Sequence, residues 1–219
     1  MAKKVGVILS GCGVYDGAEI HESVITMLAL DRAGAEMVIC APDVNQMHVV
    51  NHHTGEVADG ESRNVRVEAA RIARGPVADV ADVDAGDLDA LILPGGFGAA
   101  KNLCDFAVAG ADCRVNPDVA SLVREVHAQG KPIAAVCIAP ALLAKVLGTE
   151  GPELTIGTDA DTAGALESLG ATHVECPVTE VVVDRERKII TSPAYMLAQS
   201  ISEAAEGIEK TVAVLVEMA

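Results

Sequence analysis

The stretch Pro132-Ile-Ala-Ala-Val-Cys-Ile-Ala-Pro-Ala-Leu-Leu-Ala-Lys-Val-Leu147 reads as a short apolar strand, Pro132 to Val136, that turns at Cys137 into a helix, Ile138 to Leu147. A strand apolar at every position is buried on both faces, as in a parallel sheet. Its last side chain is presented at the carboxyl edge of that sheet, beside a helix N-terminus whose N–H groups and dipole favour an anion. The setting is expected to favour the thiolate of Cys137, which is the nucleophilic form. Ala135 and Ala139 are the small flanking residues of a nucleophile elbow, a strained strand-to-helix corner. The competing reading is an inert core thiol, because cysteine is among the most often buried residue types.

Similar apolar runs occur at Val5–Ser10, Met37–Ala41 and Leu88–Leu93, and helix-like stretches separate them at Ile20–Arg32, Val65–Arg74 and Val119–Gln129. This alternation predicts a doubly wound α/β sheet, with ligands bound at the carboxyl ends of the strands. Val178–Val183 and Lys188–Ser192 flank Asp184-Arg185-Glu186-Arg187 as a hairpin. His48–Val50 and Glu56–Val57, around Thr54-Gly55, form a smaller one. Ala194–Met218 is expected to be a C-terminal helix, with Gly207 as a candidate interruption. Neither repeat nor linker divides residues 1–219, which read as one domain.

The 219 residues are half hydrophobic and carry 32 acidic against 16 basic side chains, a formal charge of −16. That sign argues against nucleic acid and against an anionic membrane surface as partners. No window reaches the apolar length of a membrane span, and the apolar run after Lys3-Lys4 is too short for a signal peptide. Six cysteines without Cys-x-x-Cys spacing predict neither a disulfide framework nor structural zinc, and hence a cytoplasmic protein with reduced thiols.

Two glycine-bearing loops are predicted to meet Cys137. Gly11-Cys-Gly-Val-Tyr-Asp-Gly-Ala-Glu19 follows the first strand, and Asp16 with Glu19 has the spacing of a capping box for the next helix. In that helix Glu22 precedes a run that is apolar nearly all round. Such a helix needs cover on every side, from the sheet and from a second subunit. Glu22 would then be half buried, its pKa raised, and able to exchange protons with Cys137 and substrate near neutral pH; a solvated glutamate is the alternative. The second loop, Leu93-Pro-Gly-Gly-Phe-Gly-Ala-Ala-Lys-Asn102, offers successive glycine N–H groups as a nest for an oxyanion. It has neither dinucleotide nor phosphate-loop spacing, so no nicotinamide or ATP is inferred.

Together with these two loops, Glu19-Ile-His-Glu22, Asn51-His-His-Thr-Gly-Glu56, Cys137-Ile-Ala-Pro140, Leu154-Thr-Ile-Gly-Thr-Asp159 and Thr191-Ser-Pro-Ala-Tyr-Met-Leu-Ala-Gln199 make the chain resemble the ThiJ/PfpI superfamily. These proteins are relatives of the class I glutamine amidotransferases, and the resemblance is to their ElbB (enhancing lycopene biosynthesis protein) branch. The resemblance implies a flavodoxin-like three-layer sandwich, a homodimer, and Cys137 as nucleophile with Glu22 as its acid/base partner. It also implies an oxyanion or substrate-binding region at the backbones of Gly95, Gly96 and Ile138. The implied activity is a cofactor-independent, metal-free glyoxalase III-type lyase, which turns glyoxal or methylglyoxal into glycolate or lactate through a hemithioacetal. The ElbB likeness further implies a link to isoprenoid biosynthesis.

One departure from that family stands out. Many members carry a histidine about twenty residues after the nucleophile, where this chain has Leu154–Asp159, so low activity is expected. His21 adjoins Glu22, but helix neighbours point about 100° apart. His173-Val-Glu175 has an amidotransferase-like spacing yet comes too soon after the elbow. His48, His52 and His53 read as surface residues without a third ligand. Arg63, Arg66, Arg71 and Arg74 read as a solvated face balancing Glu61 and Glu68, and Cys12 as either a second thiol of the site or a space-filler. The alternative function is a redox-responsive or regulatory protein, with Cys137 oxidised to a sulfinate held by Glu22.

Overall fold

Short apolar runs and longer amphipathic ones become strands and helices in alternation in the computed structural model, which describes residues 2–219. The strands are β1 (Lys4–Ile8), β2 (Glu36–Ala41), β3 (Val50–Asn51), β4 (Glu56–Val57), β5 (Ala78–Asp79), β6 (Ala90–Leu93), β7 (Ile133–Val136), β8 (Glu153–Leu154), β9 (Thr172–His173), β10 (Val182–Asp184) and β11 (Ile189–Ser192). The helices are α1 (Ile20–Arg32), α2 (Val65–Ala73), α3 (Phe97–Lys101), α4 (Phe106–Ala109), α5 (Pro117–Ala128), α6 (Pro140–Leu147), α7 (Ala160–Ser168) and α8 (Ile201–Met218).

Seven strands form the central sheet in the order β10-β11-β7-β6-β1-β2-β5, parallel except at β10, which pairs antiparallel with β11. Every residue of β6, β7 and β11 is buried, because helices cover both faces. One face carries α5 and α6, whose Leu122, Val126, Leu142 and Leu143 pack with Leu91, Ile133 and Ile189. The other carries α1 and α8, where Leu30, Val212 and Leu215 pack on Val5, Val7, Ala134 and Ile190. The chain moves outward from β1 to β2 and β5, then returns to β6 on the other side. The loops after β1 and β6 thus flank the switch point where ligands bind in such sheets.

The two expected hairpins form as β3–β4 and β10–β11, the latter shorter than anticipated at its first strand. The C-terminal helix is where expectation and structure part. Ala194–Met196 is a separate 3-10 turn, and α8 starts only after Ser200. Ala194 has φ +43°, which a right-handed helix excludes, while Ser200 Oγ caps α8 by accepting the Glu203 N–H and Glu203 Oε2 accepts the Gln199 N–H. The helix then runs unbroken through Gly207. The strand pair β8–β9 and the helix α7 between them occupy the segment after the elbow, with His173 in β9.

Helix α1 buries Glu22, Ser23, Ile25, Thr26, Ala29 and Leu30, but Ile20, Val24 and Leu28 stay 42–45% exposed as one stripe at four-residue spacing. The cap also differs from expectation. Glu19 itself is the N-cap, accepting the Glu22 N–H at 2.7 Å, whereas Asp16 accepts the Val50 N–H at 2.7 Å and ties β3 to the first loop.

Candidate active site

Cys137 stands at the end of β7 with φ +61°, the left-handed region that a non-glycine residue enters only under constraint. Its N–H donates to Ser192 O at 3.0 Å, so β11 holds the corner from the far side. The side chain is 7% exposed and forms part of the lining of a cavity of about 410 Å³. Val14, Glu19, Phe97, Ile138, Tyr195 and Met196 make most of the remaining wall.

Glu22 is wholly buried rather than half buried, and it reaches Cys137 from the first turn of α1. Its Oε2 accepts the Gly95 N–H at 3.0 Å and its Oε1 accepts the Tyr195 N–H at 3.1 Å. Burial raises its carboxyl to about 7, against the opposing pull of those N–H donors and of the Cys137 contact. Gly95 is the wedge that lets this pair meet. A Cβ there would stand 2.5 Å from Cys137 Cβ and 2.7 Å from Glu22 Oε2.

The expectation of a ready thiolate is corrected. Burial, and then the charge of Glu22, push the Cys137 thiol well above its ordinary value. The helix effect is weak because α6 starts three residues later at Pro140, which has no N–H to offer. Only the N–H groups of Gly96 and Ile138 point at the sulfur and favour its ionised form. Cys137 and Glu22 therefore titrate as a pair, each ionisation opposing the other.

The second loop is likewise not an open nest. Gly95 N–H is taken by Glu22, Phe97 N–H by Val14 O at 2.8 Å, and Gly98 N–H by Gly17 O at 2.8 Å. Of the expected oxyanion donors, Gly96 and Ile138 thus face the sulfur, and Gly95 does not. Gly98 is needed for contact, since a Cβ would lie 2.5 Å from Gly17 Cα.

The remaining candidates are not brought into the cavity. Cys12 faces a separate, apolar groove beside Ile20, Val24, Leu28 and Arg71, so it is no second thiol for Cys137. His173 lies in β9 and receives the Ile156 N–H at 3.4 Å. His52 receives the Tyr15 N–H at 3.2 Å, and the described residues hold no cluster of three metal-ligating side chains. Arg63 and Arg71 pair with Glu68, and Arg66 with Asp43, as a surface face does. No described helix is long and apolar enough to cross a membrane.

The sequence reading gave no role to Tyr195, Met196, Phe97 or Thr162, which line the cavity. For Tyr195 and Met196 a signal existed. Because β11 is parallel to β7, the loop after it must emerge at the same edge as Cys137.

A cysteine elbow facing a buried carboxyl on a doubly wound sheet defines an amidotransferase-like class of proteins. The profile of the DJ-1/PfpI family matches residues 8–203, and the chain belongs to that family. It is 48% identical, over 99% of its length and 84% of the other protein's, to human glutamine amidotransferase-like class 1 domain-containing protein 3, mitochondrial. It is also 47% identical to the rat ES1 protein homolog, mitochondrial, over 98% and 84% of the two chains. The crystal structure of an isoprenoid biosynthesis protein with amidotransferase-like domain from Ehrlichia chaffeensis superposes with a TM-score of 0.92, at 38% identity over 99% of both chains. Drosophila melanogaster DJ-1beta superposes at 0.61, with 26% identity over 99% of this chain and 91% of that one.

Proposed function

We propose that the chain is a cofactor-independent glyoxalase-type enzyme of low activity, taking glyoxal or methylglyoxal to glycolate or lactate. The observation that carries this reading is the contact of a wholly buried Glu22 with Cys137 at the foot of a cavity. The Cys137 sulfur adds to one aldehyde carbon, its proton is released, and the carbonyl oxygen takes up a proton to give a hemithioacetal. Glu22, as carboxylate, removes the hydrogen from that carbon to form an enediol and returns it to the neighbouring carbon, leaving a hydroxyacyl thioester. Water hydrolyses the thioester, releasing the hydroxy acid and the Cys137 thiol. A carboxyl poised at about 7 suits both directions of that proton transfer.

The ElbB branch and a link to isoprenoid biosynthesis belong to the same proposal, supported by the name of the Ehrlichia relative. The cavity wall contains no lysine or arginine, so such a link would run through aldehyde chemistry rather than recognition of a prenyl diphosphate. We assign the protein to a reducing compartment, cytoplasmic or, by its mammalian relatives' names, mitochondrial; all six cysteines are free. A homodimer covering the Ile20–Val24–Leu28 stripe completes the proposal.

The test follows glyoxal loss and glycolate formation without glutathione or metal, in wild type, Cys137→Ala and Glu22→Gln. Multiple turnovers abolished by both substitutions support the reading. Stoichiometric consumption without turnover defeats it in favour of a regulatory thiol, which the restricted access to Cys137 and its acid neighbour would also suit.

A further inference from the structure

Tyr195 in the cavity wall belongs to a second hydrogen-bonded pair, whose other member, His21, lies outside that wall. Ala194, wholly buried among Cys137, Ile25 and Ile208, holds the strained φ of +43°. The turn it makes carries Tyr195 N–H to Glu22 Oε1 and sets the tyrosine ring in the cavity wall with Cys137. The same ring ends 2.8 Å from His21 Nδ1, so that α1 grips Tyr195 twice, by Glu22 at the backbone and by His21 at the hydroxyl. His21 is exposed and opens this contact to solvent. Strain, backbone hydrogen bond and side-chain pair converge on Tyr195.

We propose that Tyr195 is the catalytic acid of this site, its hydroxyl giving a proton to the carbonyl oxygen of a bound aldehyde, with His21 as the positioning residue that orients and reprotonates it. The inference rests on the glyoxalase-type reading above. As the Cys137 sulfur bonds to the aldehyde carbon, the C=O π pair moves to oxygen and that oxygen takes the Tyr195 proton. The phenolate takes the proton on His21 Nδ1, and His21 takes one from water at Nε2. The thiol proton leaves to solvent, so one proton enters and one leaves. With its proton on Nδ1, His21 donates to Tyr195 Oη and frees the hydroxyl hydrogen to point at substrate. Glu19 from the N-cap of α1 and Cys137 from the elbow share this wall, with the wholly buried Glu22 behind it. Burial and the two carboxyls push the Tyr195 phenol up from its ordinary value, in the direction of the protonated form.

Tyr195→Phe keeps the ring and the N–H to Glu22 and removes only the hydroxyl, while His21→Ala alters an exposed side chain. With unfolding temperatures matched to wild type, Tyr195→Phe should lower kcat about 100-fold and leave KM unchanged. His21→Ala should lower kcat about tenfold, and added imidazole should restore it only where Tyr195 is present. A packing role would not respond to imidazole. Wild-type kcat in Tyr195→Phe, or no rescue of His21→Ala, overturns the proposal. Should wild type show no turnover, the glyoxalase reading fails. The inference is then judged by how fast stoichiometric glyoxal adds to Cys137, read by intact mass; equal rates in wild type and Tyr195→Phe overturn it, and a slower variant upholds it.

Discussion

Replacing Glu22 by glutamine should alter how stability depends on pH, and the size of the change follows from burial. The carboxyl rises from an ordinary 4.5 to about 7 in the folded protein. A folded value above the unfolded one means that the native state holds the proton more tightly. The stability this confers is complete below pH 4.5 and is lost as the pH climbs through about 7. At about 1.4 kcal/mol for each tenfold change in proton affinity, the loss amounts to about 3 kcal/mol. Glutamine cannot ionise, but its NH2 must face either the Gly95 or the Tyr195 N–H, at a pH-independent cost of about 1–3 kcal/mol. Wild type should therefore be clearly the more stable at pH 5, and the gap should shrink by about 2.5 kcal/mol by pH 8, the rest of the loss falling below pH 5. Urea unfolding followed by far-ultraviolet circular dichroism suits a chain with no tryptophan. Contributions from the other acidic groups cancel in the difference between the two proteins. A gap constant to within about 0.5 kcal/mol across that range would refute the buried, proton-sharing role of Glu22.

Gly95→Ala drives a Cβ to within 2.5 Å of Cys137 and 2.7 Å of Glu22. It should cost about 1–3 kcal/mol by calorimetry and bring glyoxal turnover down to that of Cys137→Ala; full activity would show that the pair need not touch. Cys137→Gly should be about 1 kcal/mol more stable than Cys137→Ala, since glycine accepts φ +61° freely; the reverse order would deny the elbow its strain. Val24→Glu combined with Leu28→Glu, on the exposed stripe of α1, should convert dimer to monomer in sedimentation velocity. An unchanged sedimentation coefficient would show that this stripe does not seat a second copy.

The central sheet was legible because β1, β2, β6 and β7 are nearly continuous apolar runs, and α1 because its range, though not its cap, was clear. The boundary of α8 was hidden by Ala194: nothing in an alanine announces a left-handed φ imposed by tertiary packing. Short pieces such as β5, β8 and β9, two residues each, carry too little periodicity to be seen. At the site, the meeting of Cys137 with Glu22 was visible through motif and loop order. The state of the thiol was not, because burial outweighs the helix field, and burial belongs to the folded chain. Tyr195 escaped notice because its part depends on β11 running parallel beside β7, a pairing between residues more than fifty apart.

The threading of the chain also sets when Cys137 acquires its character. Ser192 holds the backbone of the elbow and Tyr195 holds Glu22, and both come from the segment just ahead of α8, which lies across α1 and β11. A molecule whose C-terminal segment has locally detached keeps most of its sheet but loses these two clamps. Its cysteine reverts toward an ordinary, solvent-reached thiol. Undocking of that last helix would expose the chemistry to any electrophile at hand, so the integrity of the C-terminus guards the selectivity of a residue more than fifty positions upstream.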